Sequence, residues 1–151
     1  MQTVRKSVIV TRPAEAMFAL VDECERYPEF LPWCSSVVVH ERTPREVKAT
    51  LEIDYRGMRS RITTLNHNSP PHAIDLEFVE GPFERFKGHW QFVPLGADGC
   101  RVEFALDYAF SSGALETLLA PVFGHIMETL VDRFVERAQA SPPLAPRAGA
   151  T

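Results

Sequence analysis

Histidine and cysteine are the residue types in this chain that most often carry catalysis or metal binding. The histidines fall in predicted strands, turns and a helix, without the spacing of a catalytic triad or of metal ligands. They are His40, His67, His72, His89 and His125. The cysteines are odd in number and have no CxxC spacing, which is typical of free thiols in a reducing compartment rather than of a disulfide framework or a zinc site. They are Cys24, Cys34 and Cys100. The sequence therefore predicts neither a catalytic site nor a metal site.

The segment Glu25 to Cys34, ERYPEFLPWC, suggests a different chemistry, the binding of apolar molecules. Its four apolar side chains are Tyr27, Phe30, Leu31 and Trp33. Proline removes a backbone donor and pushes the preceding residue towards extended geometry, so Pro28 and Pro32 prevent a regular helix here. We interpret the segment as a lid or a cavity wall, and the alternative is that it plugs one end of a small core. On a mobile loop, the same side chains would also suit transient contact with lipid headgroups.

Length and composition define the unit that must position these residues. The 151 residues suit one domain, and a hydrophobic content of 45% is enough to bury one core. A net charge of −4 argues against a dedicated nucleic-acid binder, which usually carries a basic face. The N-terminus has no apolar signal region, and no stretch approaches the roughly twenty apolar residues of a membrane span, so we expect a cytoplasmic protein. Residues 141–151 are rich in proline and alanine and predict a disordered tail, which leaves one domain over residues 1–140.

Apolar alternation predicts an antiparallel sheet. A strand pattern over residues 3–11 is followed by a helix that begins near Pro13, and about six further strands follow Trp33, separated by turn signals. Val47 to Tyr55 alternates apolar and polar residues, as expected for a sheet with one face in water. The strand that carries Ser60, Ile62, Thr64 and Asn66 is more polar on its inner face. This pattern indicates either a cavity at that strand or an exposed edge strand.

A long helix closes the domain. From about Ala114 to Ala140, apolar residues recur every three or four positions after the capping signal Ser111-Ser112-Gly113. Pro121 and Gly124 interrupt the pattern, and we predict a bend there. An apolar stripe of this length must be covered, and the concave face of the sheet is the partner available.

The order strand, helix, short helix, six strands and long helix resembles the helix-grip fold. Four segments resemble the START-like polyketide cyclase superfamily, and within it the coenzyme Q-binding and ribosome-association toxin branch. These are YPEFLPWC, LEFVEGPFERFKGHWQF, CRVEFALDYAF and VFGHIMETLVDRFVERA. The resemblance covers roughly residues 1–140, and its most specific parts are the proline-bracketed aromatic segment and Glu80-Gly81-Pro82-Phe83. It implies an α+β helix-grip (START-like) domain in which a curved antiparallel β-sheet wraps around a long C-terminal α-helix.

The resemblance also implies a function. Members of this branch hold a hydrophobic ligand, ubiquinone or a related isoprenoid quinone, between sheet and helix, and act as non-catalytic lipid chaperones that support respiratory electron transfer. Aromatic side chains with a few donors suit a planar quinone head, and an apolar groove suits an isoprenoid tail. The candidate wall residues are Tyr27, Phe30, Leu31, Trp33, Phe83, Phe123, Met127 and Leu130. The alternative for each of them is ordinary core packing. Ligand exchange would require the protein to associate transiently with the inner membrane as a peripheral protein.

Two further functions remain open. The toxin-named members of the branch imply binding to the large ribosomal subunit, which would block subunit association. Arg59 and Arg61 fall on one face of their strand and could form a basic strip, although a solvated sheet face is the simpler interpretation. Aromatase/cyclase relatives in the wider superfamily leave a cyclase-like enzyme as the third hypothesis, which rests on fold analogy alone.

Overall fold

A computed structural model describes residues 1–140 of the chain, and the predicted tail 141–151 lies outside the described residues. The strands are β1 (Gln2–Val10), β2 (Cys34–Arg42), β3 (Glu46–Tyr55), β4 (Met58–Ser69), β5 (Ala73–Glu80), β6 (Phe83–Leu95) and β7 (Gly99–Phe110). The helices are α1 (Ala14–Asp22), a 3₁₀ helix (Cys24–Glu29) and α2 (Gly113–Ala140). This order confirms the predicted succession of elements.

The seven strands form one antiparallel sheet in the order β1-β7-β6-β5-β4-β3-β2. Strands β2 to β7 follow one another as a meander, and β1 pairs with β7 at the far edge. The β3–β4 hairpin turns at Arg56 and Gly57, whose φ angles are 52° and 82°. Positive φ at both central residues matches the right-handed twist of the paired strands, and glycine adopts it without steric cost.

The segment between α1 and β2 is short and irregular, as its two prolines predict. Pro28 lies inside the 3₁₀ helix, and the backbone N–H groups of Phe30 and Leu31 both donate to the carbonyl of Tyr27. The segment is fastened to the sheet, because the N–H of Asp54 in β3 donates to the carbonyl of Trp33.

Helix α2 lies against the inner face of the sheet and supplies much of the core. Ser112 caps it, since its hydroxyl accepts from the N–H of Leu115. Pro121 and Gly124 lie within one continuous helix, so they do not divide it in two. Its buried residues are Leu119, Phe123, Ile126, Met127, Leu130, Val131 and Phe134. The resulting architecture is the expected helix grip.

The hydropathy of α2 is higher than expected, because no stretch of the sequence was expected to match a membrane span. Among the described residues, this one helix is long and apolar enough to cross a membrane by length and composition alone. The core helix of a soluble domain meets the same criterion, and here the apolar stripe packs on the sheet. The apolar residues on the buried face of α2 therefore belong to the core.

Candidate functional site

A cavity of about 100 Å³ lies between α2 and the inner face of the sheet. Residues near the two short helices contribute Val21, Cys24, Tyr27 and Trp33 to its wall, and α2 contributes Phe123, Ile126, Met127, Leu130 and Phe134. Strands β3 to β7 contribute Ala49, Leu51, Ile53, Ile62, Thr64, Asn66, Leu76, Phe86, Trp90, Phe104 and Leu106. Every one of these side chains is uncharged at neutral pH in its ordinary ionisation state.

Five of the eight predicted wall residues line this cavity. They are Tyr27, Trp33, Phe123, Met127 and Leu130. Phe83 instead borders a neighbouring space of about 20 Å³, whose wall shares Phe123 with the main cavity. Phe30 and Leu31 stand behind the wall: Phe30 packs edge-on against Phe134, and Leu31 is completely buried. The structure therefore brings together the helix α2 candidates with Tyr27 and Trp33, and places the other three next to them.

The aromatic segment is packed inwards rather than presented to solvent. The Tyr27 hydroxyl donates to the carbonyl of Val21, and the Tyr27 ring lies 5.3 Å from that of Phe134. Trp33 is 4% exposed and Leu31 is not exposed at all. Leu31 and Trp33 are thus part of the core, whereas Tyr27 and Phe30 are half-buried, and lipid contact through them stays a prediction.

Two polar side chains of β4 interrupt the apolar wall. The hydroxyl of Thr64 donates to Oδ1 of Asn66 over 2.8 Å, and both residues line the cavity. β4 lies between β3 and β5, so it is not an edge strand. The polar inner face seen in the sequence therefore marks a cavity, and the edge-strand alternative is wrong.

A third polar group in the wall is the indole of Trp33. Its Nε1 is buried, and within residues 1–140 no atom accepts a hydrogen bond from it. Buried donors are almost always paired in proteins, because an unpaired donor keeps the cost of its lost hydration. Trp33, a residue of the cavity wall, thus carries a buried donor that has no partner among the described residues.

Burial keeps the ionisable side chains of the wall neutral. Desolvation raises the pKa of the Cys24 thiol to about 11, and it raises the pKa of the Tyr27 hydroxyl well above its ordinary value of 10.0. Neither group carries charge at neutral pH. A wall of this kind suits a neutral, largely apolar ligand and opposes an ionised one.

The histidines lie away from the cavity wall. On the outer face of the sheet, Nε2 of His67 contacts Glu77 over 2.7 Å and Nδ1 of His89 contacts Asp75 over 2.6 Å. His125 is on the flank of α2, where its ring stacks on Tyr55 at 5.1 Å. Over residues 1–140, no group of three or more His, Cys, Asp or Glu side chains is arranged to hold a metal ion.

Arg59 and Arg61 share the outer face of β4, as predicted from their spacing. Each is paired with an acidic residue of β3: Arg59 lies 3.3 Å from Asp54, and Arg61 lies 3.4 Å from Glu52. Both guanidinium groups stay mostly exposed, so these ion pairs are solvent-screened and weak. The strip therefore has basic groups within reach of a partner, but acidic neighbours balance their charge.

Alternation identified most wall residues of the sheet as inward-facing, without separating cavity wall from dry core. Ala49, Leu51 and Ile53 alternate on β3, and Ile62, Thr64 and Asn66 alternate on β4. No sequence pattern marked Val21 or Phe86 as cavity residues, because their place in the wall depends on how α1 and β6 approach α2.

The sequence matches the family described as polyketide cyclase / dehydrase and lipid transport over residues 10–135. A curated relative from Vibrio cholerae, named ribosome association toxin RatA, is 36% identical over 139 residues, which is 92% of this chain and 96% of the relative. A more distant relative from Xenopus laevis, named coenzyme Q-binding protein COQ10 homolog B, mitochondrial, is 24% identical over 82% of this chain and 52% of its own length.

Solved structures agree with the architecture. The Zhui aromatase/cyclase from a Streptomyces species superimposes with a TM-score of 0.80 at 17% identity, covering 99% of both chains. At that identity the likeness establishes the fold alone. Together, the profile match over most of the chain and the relative at 36% identity show that this chain is a member of the polyketide cyclase / dehydrase and lipid transport family.

Proposed function

We propose that the protein binds a neutral hydrophobic ligand between the sheet and α2, that this ligand is an isoprenoid quinone such as ubiquinone, and that the ligand is not converted there. The observation that carries the proposal is the uncharged, aromatic-rich cavity wall with a small polar patch on β4. A planar quinone head suits aromatic side chains with few donors, and an isoprenoid tail needs only apolar surface. Lipid transport in the family description and the coenzyme Q-binding name of the Xenopus laevis relative support this choice.

The size of the cavity sets a condition on binding. About 100 Å³ is less than the roughly 300–1,000 Å³ of typical small-molecule pockets, so the wall must widen to admit a quinone head. The backbone of α2 approaches mainly α1, β1 and β7, whereas the β3–β4 side of the cavity is bounded by side chains. Side-chain movement on that side would enlarge the space without unfolding the helix.

The role we propose is that of a lipid chaperone for respiratory electron transfer, located in the cytoplasm with peripheral visits to the inner membrane to exchange ligand. The cavity wall offers no side chain that exchanges protons near neutral pH, which favours carriage over cyclase-like catalysis.

Organic extraction followed by mass spectrometry tests the proposal. The protein is purified from a host that makes ubiquinone, and an unrelated soluble protein is treated in parallel. We expect isoprenoid quinone near one mole per mole of protein and none above background in the control. An empty protein that also fails to take up added ubiquinone would refute quinone binding.

Ribosome association is the second candidate, favoured by the 36% identity to a protein named ribosome association toxin over nearly its whole length. The outer face of the sheet has an open groove of about 710 Å³ whose wall includes His40, Lys48 and Arg61. Contact with ribosomal RNA through these groups would weaken steeply with salt, because condensed counterions are released on binding. Co-sedimentation with large ribosomal subunits at 50 and 200 mM salt tests this candidate. Recovery with subunits that is lost in the Lys48→Glu, Arg61→Glu double variant would support it, and absence from the subunit fraction at both salts would exclude it.

A further inference from the structure

The inner face of β4 presents hydrogen-bonding groups inside an otherwise apolar cavity. Thr64 is 9% exposed, and its hydroxyl donates to Oδ1 of Asn66. That bond fixes the amide of Asn66 and leaves its N–H groups without an acceptor among the described residues. Asn66 is half-buried and lines the cavity, so its amide N–H groups can donate to a bound molecule.

Trp33 adds an independent observation on the same cavity. Its side chain lines the wall, and its buried Nε1–H has no acceptor within the described part of the chain. An indole N–H can only donate, and an amide NH₂ likewise donates. Both unpaired groups of the wall therefore need the same complement, an acceptor oxygen.

We propose that Asn66, positioned by Thr64, and Trp33 donate hydrogen bonds to acceptor oxygens on the head of the bound ligand, and so select for a carbonyl-bearing head over a hydrocarbon of the same size. The inference rests on the proposed function of the cavity and specifies which groups recognise the head. Sites that hydrogen-bond their ligand discriminate strongly against an analogue without the partner atom, because the donors are then left unpaired.

β4 also provides a matched control, because Thr63 is the neighbour of Thr64 and faces the opposite side of the sheet. Its hydroxyl lies 2.6 Å from that of Thr50, and it is 7% exposed. Thr63→Val and Thr64→Val are therefore the same chemical change, at adjacent positions of similar burial, on opposite faces of one strand. Only the second change touches the cavity.

The test compares decylubiquinone with decylbenzene, which has the same alkyl tail and an aromatic ring without oxygens. Dissociation constants are measured by competition against a fluorescent apolar dye, for the natural protein and for Asn66→Leu, Thr64→Val and Thr63→Val. We expect Asn66→Leu to weaken decylubiquinone by about tenfold, the effect of one lost hydrogen bond, and to leave decylbenzene unchanged. Thr64→Val should weaken decylubiquinone by roughly threefold, since it frees the amide it positions, and Thr63→Val should change neither constant.

Several results would overturn the inference. Equal affinity of the natural protein for the two probes would show that the site does not recognise the quinone oxygens, although the proposal of hydrophobic binding would be unaffected. An equal loss of both probes in Asn66→Leu and Thr64→Val would make the pair a packing element. Failure of the natural protein to bind either probe would instead refute the proposed function. Thermal unfolding of each variant verifies that it is folded. If Asn66→Leu does not fold, Thr64→Val and Trp33→Phe test the inference by the ratio of their dissociation constants for decylubiquinone and decylbenzene.

Discussion

At Gly88, the addition of one methyl group should weaken ligand binding more than it weakens the fold. It lies buried on the inner face of β6, paired between Leu76 of β5 and Leu106 of β7, both of which line the cavity. A Cβ added to Gly88 would lie 2.8 Å from Cδ1 of Leu76 and 3.3 Å from Cδ1 of Leu106. Carbon atoms prefer about 3.5–4.0 Å, so in Gly88→Ala the end of Leu76 must move by about 0.7 Å or more.

The expected stability change is small because two effects oppose each other. Replacing a strand glycine by alanine gains about 0.5–1 kcal/mol of unfolded-state entropy. Overpacking a core costs about 1–3 kcal/mol, and the cost should fall at the low end because the tip of Leu76 is flexible and borders the cavity. We therefore expect Gly88→Ala to lower the free energy of unfolding by about 1 kcal/mol or less.

The effect on binding should be larger, since the displaced methyl group of Leu76 takes ligand space. A misfit of one methyl group in an apolar pocket is worth about 1–3 kcal/mol, or roughly 10- to 200-fold in affinity. The assays are urea unfolding and titration of decylubiquinone, in which the quinone quenches Trp33 and Trp90 of the cavity wall. Gly124→Ala in α2 is the control: its new Cβ meets nothing within 4 Å, so stability should rise by about 0.8–1 kcal/mol with binding unchanged. Unchanged quinone affinity in a folded Gly88→Ala variant would refute the placement of the ligand next to Leu76.

Three further predictions follow from burial and pairing. Phe134→Ala should lower the free energy of unfolding by about 3–5 kcal/mol in urea, because this ring is 1% exposed and packs on three other aromatic rings; a loss below 1 kcal/mol would contradict that packing. Burial raises the thiol pKa to about 11 for Cys24 and about 12 for Cys34. A thiol reagent at pH 8 should therefore label neither cysteine until the protein unfolds. Rapid labelling of the native protein at these two positions would argue against their burial. The hydrogen bond to Glu77 raises the pKa of His67 above 6.5, so this pair stabilises the fold below pH 6.5 and loses its effect as pH rises through the raised pKa. NMR titration should show the raised pKa of His67 in the natural protein and a smaller shift in Glu77→Gln. An equal pKa in the two proteins would count against the pair.

Local pattern was sufficient for the elements. Apolar alternation in β3 and the three- to four-residue repeat of α2 predict the sheet and the long helix, because both periods follow from backbone geometry. Pro28 and Pro32 likewise predict the irregular segment before β2, since proline acts on its own backbone and on the residue before it.

Spacing alone could not separate the wall of a cavity from the residues behind it. Trp33 lines the cavity, whereas Leu31, two positions earlier in the same segment, is fully buried outside it. Phe83 resembles Phe123 in type and burial, yet it borders the smaller neighbouring space. Which side chain touches the void depends on how segments distant in sequence approach one another.

The sequence by itself determined the order of the elements, the inward faces of the strands and the unusual polarity of the inner face of β4, because these are properties of neighbouring residues in one segment. Only the tertiary structure decided that β4 is a central strand, that Trp33 leaves an unpaired donor in the same wall as Asn66, and that Gly88 makes room for Leu76. Each of these facts depends on strand order and on packing between segments far apart in the chain, which hydrophobic burial fixes collectively and no local pattern records.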